Sequence, residues 1–155
     1  LEEGRDLYSI RAVLEGYAAR LFAEKATEAQ MSQLVGALDR VIVAYDGGDA
    51  NRVLETKNAF YDVLVQGAGS DTLSSMLSTL HARIWRWRAL GLTHPQRSEQ
   101  RSRESVGNLK AVLDAIRARD ADAAERLTRE EADHAAAEVV RLLGGPGDGA
   151  AGARR

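Results

Sequence analysis

The sequence predicts an all-α fold, an antiparallel bundle of about six helices with an internal pocket. Three observations carry that expectation. Ala, Leu, Glu and Arg dominate the composition, and these residues lose little freedom on entering a helix. Only two prolines, Pro95 and Pro146, stand in 155 residues. Apolar residues recur at three- and four-residue spacing, and no segment alternates with period two for long.

The composition also bounds function. A chain of 155 residues suffices for one domain with a core of its own. Hydrophobic residues at 45% and charged residues at 28% are the ordinary balance of a soluble globular domain. A net charge of −2 gives no overall attraction to nucleic acid or anionic lipid. Cysteine is absent, which excludes disulfides, thiolate metal sites and cysteine nucleophiles. No apolar run approaches the roughly 20 residues of a membrane span. The opening LEEGRDLYS has neither the basic start nor the apolar run of a signal peptide. The expected compartment is the cytoplasm, with no membrane partner.

The first helix is expected over Asp6 to Lys25, with Asp6 favouring its N-terminus and Leu7, Ile10, Leu14, Tyr17, Ala18 and Leu21 inward. Residues 1–5 then belong to a preceding linker. Arg11 and Glu15 lie one turn apart on the flank of that stripe, either paired with each other or with Arg11 reaching the interior. Thr27 and Glu28 open a second helix to about Tyr45, with Met31, Leu34, Leu38, Val41, Ile42 and Tyr45 inward, and Gly47-Gly48 ends it.

The third helix starts at Asp49 and stops at Gly67-Ala68-Gly69. Val53, Leu54, Phe60, Leu64 and Val65 form its stripe, and Lys57 and Tyr61 fall inside that stripe. An ammonium on an apolar face needs a partner or a wet cavity. This helix therefore reads as one wall of a partly polar pocket, or else Lys57 snorkels to the surface beside an ordinary core Tyr61. Ser70 or Asp71 caps a fourth helix with Leu73, Leu77, Leu80, Ile84 and Trp87 on one face and His81, Trp85 and Arg88 on another. Trp85 on a second face suggests an interface with another copy of the chain. Residues 91–95, GLTHP, read as a loop, and QRSEQRSRES becomes helical only toward Ser105. Val106, Leu109, Val112, Leu113 and Ile116 line the fifth helix. After a turn at Arg119-Asp120, a last helix runs from Ala121 to Leu143 with Ala124, Leu127, Ala135, Val139 and Leu142 inward. Glu131 lies on that face with His134 beside it. The glycine-rich residues 144–155 read as a disordered tail.

Motifs for chemistry are scarce. Neither GxGxxG nor GxxxxGK occurs, so no phosphate loop or nucleotide cofactor is expected. There is no HExxH, and His81, His94 and His134 fall in separate segments. The serines lack an elbow motif with a histidine base. The arginines around Trp85 and Trp87 hint at a nucleic-acid surface, against which the near-neutral charge weighs.

Three segments together resemble a known family. DLYSIRAVLEGYAARLFAEKAT resembles the opening D-L-x-x-I-R-x-x-L-E-x-x-A-A-R-L-A-A of the FadR-type C-terminal (FCD) domain of GntR-family transcription regulators. KNAFYDVLVQGAGSDTLSSML resembles its F-H-x-x-L-x-x-A-x-G-N-x-x-L-x-x-x-L. NLKAVLDAIRARDADAAERLTREE resembles its H-x-A-I-L-D-A-L-x-x-G-D-A-x-A-A-x-x-x-x-x-x-H. The resemblance spans about Asp6 to Leu143. It implies an all-α domain of six or seven helices that binds a small effector, often a carboxylic acid, and forms a homodimer. It further implies that DNA is contacted only through an N-terminal winged helix-turn-helix domain, expected to lie outside the residues Leu1 to Arg155.

Many members of that family hold a divalent metal with one aspartate or asparagine and three histidines. By position these fall on Lys57, Tyr61, Leu109 and Glu131, or His134 after a one-turn shift. None is a good match, so no metal site of that kind is expected. The resemblance then implies an effector site of Arg11, Lys57, Tyr61, Leu109, Glu131 and His134. Either Lys57 and Glu131 pair across the pocket with Tyr61 bonded to one of them, or Lys57 and Arg11 receive a ligand carboxylate. The alternatives to a metal-free effector domain are a dimerising scaffold closed by the Lys57–Glu131 pair, and a small helical enzyme with Glu131 or His134 as base.

Overall fold

Most helix starts carry their own capping chemistry. The computed structural model describes residues 2–144, which form α1 (Glu2–Lys25), α2 (Glu28–Gly47), α3 (Ala50–Ala68), α4 (Asp71–Thr93), α5 (Glu99–Arg117) and α6 (Ala121–Gly144). Thr27 opens α2 with a capping box: its hydroxyl accepts from the Gln30 N–H at 3.1 Å, and the Gln30 side chain accepts from the Thr27 N–H at 2.9 Å. Asp49, Ser70 and Ser98 cap α3, α4 and α5 through their side-chain oxygens. Gly48 and Gly69 end α2 and α3 in the left-handed region, at φ 72° and 70°, where a Cβ would be strained. No strand occurs among the described residues, and no helix among them is long and apolar enough to cross a membrane.

Helix α1 packs against α3, α4, α5 and α6, while α2 lies on α3 and α5. Two apolar clusters result. One gathers Phe22, Leu34, Val41, Phe60, Leu64, Leu109 and Ile116; the other gathers Leu7, Leu21, Leu73, Leu77, Ile84 and Val139. Contact between α1 and α3 is close: a Cβ added at Gly67 would stand 2.2 Å from the Phe22 ring, so only glycine fits there.

The structure departs from the expected boundaries in several places. Helix α1 begins at Glu2, four residues before the expected Asp6, and Gly4 packs on the Trp87 ring. Ile10 and Tyr17, expected inward, are 45% and 47% exposed. The buried face of α1 runs instead through Leu7, Tyr8, Arg11, Ala12, Glu15, Ala19 and Phe22, because Arg11 and Glu15 find partners inside. Arg88 continues the buried row of Leu77, Leu80 and Ile84 rather than lying with the exposed Trp85. Residues 91–93 stay helical, and α5 begins at Glu99, one residue after its Ser98 cap, well before Ser105. Gly144 closes α6, and the rest of the expected tail, 145–155, lies outside the described residues.

Candidate functional site

The stripe of α3 carries Lys57 and Tyr61 inward as its periodicity requires. Both are buried, so Lys57 does not snorkel. Its ammonium stands 3.7 Å from Glu131 Oε1, donates to Ser105 Oγ at 3.1 Å, and reaches Tyr45 Oη at 3.5 Å. Glu131, on α6, is almost saturated with donors. Arg101 Nη2 gives to Oε1 at 3.0 Å, the Ser105 hydroxyl to Oε1 at 2.7 Å, and Asn108 Nδ2 to Oε2 at 2.7 Å. Burial opposes its charge, but Lys57 and Arg101 outweigh burial and hold the carboxyl below its usual range. A carboxylate so held is a poor base, which weighs against Glu131 in that role. Burial depresses Lys57 in turn, against the pull of Tyr45 and Glu131. Arg101, Ser105 and Asn108 hydrogen-bond Glu131 directly, while Lys57 faces it at 3.7 Å with its own charge disfavoured by burial.

A second buried network adjoins the first. Arg11 Nε donates to Glu15 Oε1 at 3.0 Å, and His81 Nε2 stands 2.7 Å from the same oxygen. Burial raises the Glu15 carboxyl, but Arg11 and His81 dominate and bring it down to about 2. Arg11 is thus committed to Glu15 while also reaching the interior. Its guanidinium lies 5.2 Å from the Tyr61 ring centre, and that of Arg88 lies 5.7 Å from the same ring. Arg88 also bonds Asn58.

Between these networks lies a cavity of about 30 Å³, walled by five of the six helices. Tyr8 and Arg11 come from α1, Lys57 from α3, Arg88 and Leu92 from α4, Arg101 from α5, and Glu138 and Val139 from α6, with Arg97 from the α4–α5 connection. Five cationic side chains line it against one carboxylate. Arg88 Nη2 and Arg101 Nε and Nη1 are buried with no hydrogen-bond partner among the described residues. Buried guanidinium donors are ordinarily satisfied, so three orphans beside one polar cavity mark a place for acceptors. Outside it, a cleft of about 870 Å³ opens between the α2–α3 corner and the first turns of α5.

The predicted site residues separate into two groups. Arg11, Lys57, Tyr61 and Glu131 converge. Tyr61 is not bonded to Lys57 or Glu131, however; its ring is the platform beneath Arg11 and Arg88, and its hydroxyl is raised above the ordinary phenol range by burial first and Glu15 second. Leu109 is buried in the first apolar cluster and lines neither cavity. His134 turns to the surface, 3.1 Å from Glu104 Oε1, so Glu131 takes the inward position. Sequence reasoning missed Arg88, Arg101 and Ser105. The signal was there: Arg101 and Ser105 extend the Leu109–Val112–Ile116 row backward at four-residue steps, and Arg88 follows Ile84 by four.

These side chains do not fit a divalent cation. Two cations already face the Glu131 carboxylate, and the neighbouring positions are a phenol and an isobutyl group. Among the described residues no group of three His, Cys, Asp or Glu side chains is placed to hold a metal.

Comparison with known proteins bears on the whole bundle. Residues 6–134 match the FCD domain family. The fold is similar to the solved structure of E. coli McbR/YncC, with a TM-score of 0.80 at 20% identity, covering 89% of this chain and 64% of that one. This chain therefore spans somewhat under two thirds of that protein's length. No curated protein is significantly similar in sequence.

Proposed function

The chain belongs to the FCD family, the effector-sensing part of GntR-type transcription regulators, and from that premise we propose that it binds a small organic anion, most simply a carboxylate, in the cavity between α1, α3, α4, α5 and α6. It is a regulatory domain and not an enzyme. The carrying observation is the set of orphaned donors on Arg88 and Arg101, in a cavity with more cations than carboxylates. A carboxylate offers about four lone-pair sites to such donors. Lys57 adds charge without adding geometry, Tyr61 holds the guanidinium planes, and Glu131 fixes Arg101 and Lys57 in place. No metal takes part in this reading.

In it the domain is the sensing half of a cytoplasmic homodimer. Ile10, Val13 and Tyr17, exposed along α1 at three- and four-residue spacing, support the dimer face. DNA binding belongs to a winged helix-turn-helix domain outside this chain, whose half-site spacing the effector would bias.

Thermal unfolding against a panel of small organic acids tests the proposal. A ligand bound only by the folded state at a hundredfold excess over its dissociation constant stabilises by about 2.7 kcal/mol. An acid that raises the midpoint of the native chain but not of Arg101→Gln or Arg88→Gln supports the site. Equal shifts in all three proteins would place the acid elsewhere. A second reading, a scaffold whose chamber is filled by its own side chains, draws on the small volume of the cavity. It predicts no shift with any acid.

A further inference from the structure

The inner cavity and the outer cleft are adjacent, and their sizes decide what each accommodates. About 30 Å³ holds roughly two water-sized positions, room for a carboxylate group and little more. Sites for small ligands typically enclose about 300–1,000 Å³, and the cleft, at about 870 Å³, lies in that range. Leu92 and Arg97 line both spaces. One phenol joins them as well: Tyr45, which lines the cleft, accepts from Lys57 at 3.5 Å and from Arg97 at 3.4 Å. Both contacts are at the outer limit of a hydrogen bond, so little free energy is lost in parting them. Ile42, Val53, Leu92 and Val106 give the cleft apolar wall, while His94 and Arg103 lie on its lining with polar groups.

We propose that the cleft is the outer subsite of the effector pocket, taking the partly apolar body of a monocarboxylic acid whose head passes between Tyr45 and Arg97 to the donors of Arg88 and Arg101. The inference rests on the anion reading above and adds to it the location and character of the rest of the ligand. It makes the cleft the determinant of chain-length selectivity and the inner cavity the determinant of charge. Tyr45 and Arg97 are the gate between them.

The test uses unbranched monocarboxylates from formate to hexanoate, titrated calorimetrically into the native chain and into Gly107→Trp. Gly107 lines the cleft and not the inner cavity, and a Cβ there meets nothing within 4 Å, so the backbone has room for an indole on the cleft side. The native chain should bind about fourfold more tightly for each methylene buried. Gly107→Trp should keep its affinity for formate and acetate and lose the gain for the longer acids. Because the native series is informative by itself, a Gly107→Trp chain that fails to fold does not remove the test. Hexanoate binding no tighter than acetate to the native chain would overturn the cleft subsite while leaving the inner anion site standing. Absence of binding by every acid, or equal binding to Arg101→Gln, would overturn the inner site and the subsite with it.

Discussion

Replacing Glu131 by glutamine removes the charge at the centre of the inner network and leaves its shape. The side chain is 1% exposed and receives Arg101, Ser105 and Asn108 at 2.7–3.0 Å, with Lys57 at 3.7 Å. At an effective dielectric near 20, an attraction across 3.7 Å is worth about 4–5 kcal/mol before desolvation. Removing one member of a buried ion pair costs about 3–5 kcal/mol, because the remaining charge keeps its desolvation penalty. Here two cations are left, and the new amide N–H₂ meets donors at its positions. Glu131→Gln should therefore lower the unfolding free energy by about 3–5 kcal/mol, a large part of the about 5–15 kcal/mol typical of a domain. Lys57→Met should change it by under about 1 kcal/mol, since burial already disfavours that ammonium. The double variant restores the original charge balance and should recover about 1–3 kcal/mol relative to Glu131→Gln. Urea unfolding followed by helical circular dichroism, at a common slope, measures all three. A Glu131→Gln loss below about 1 kcal/mol, or strictly additive losses, would refute the idea that Glu131 offsets a surplus of buried cations.

Other expectations follow from the same structure. Glu15 ionises at about 2 in the fold against 4.5 ordinarily, so its stabilisation is fully present above about pH 5 and disappears as the pH falls through 2. At about 1.4 kcal/mol per pH unit this is about 3 kcal/mol, and Glu131 titrates in the same direction. A urea midpoint that stays level from pH 5 to 2.5 would contradict it. Gly67→Ala forces a methyl into the Phe22 ring and should destabilise by about 1–3 kcal/mol, whereas Gly107→Ala meets open space and should stabilise α5 by up to about 1 kcal/mol. Opposite shifts in melting temperature check the pair. Val13→Glu should leave the unfolding midpoint of dilute protein unchanged and shift sedimentation toward the monomer; an unchanged sedimentation coefficient counts against α1 as the dimer face. Zinc or nickel should not raise the melting temperature, because Lys57 and Arg101 occupy the surroundings of the inward carboxylate.

Much of this fold was written in local chemistry. Thr27 with Gln30, Asp49, Ser70 and the glycines at 48 and 69 mark turns that depend on a few neighbouring atoms, and such turns are legible in a single sequence. The stripe of α3 was legible too, including Lys57 and Tyr61 within it. What failed to show was burial of charge. Arg101 and Ser105 lie in a segment so polar that composition spoke for solvent, and only partners from α3 and α6 make their position favourable. Ile10 and Tyr17 mislead for the complementary reason: their side chains are apolar, yet Arg11, paired with Glu15, and Glu15, paired also with His81, take the inward places. Choosing between Glu131 and His134 likewise required α5, whose Arg101, Ser105 and Asn108 all face the glutamate.

Helix α1 has two contrasting flanks. Tyr8 and Arg11 border the inner chamber, and Ile10, Val13 and Tyr17 stand exposed on the opposite side. Its 24 residues extend about 36 Å as one hydrogen-bonded rod. A rod of that stiffness does not absorb a push locally. Tilted by about 5° about Arg11, its far end at Lys25 sweeps about 2 Å, the scale on which packed helices shift in switching proteins. An anion settling beside Arg11 in the proposed site would thus reach the other flank as leverage, with no chain of intervening side chains required.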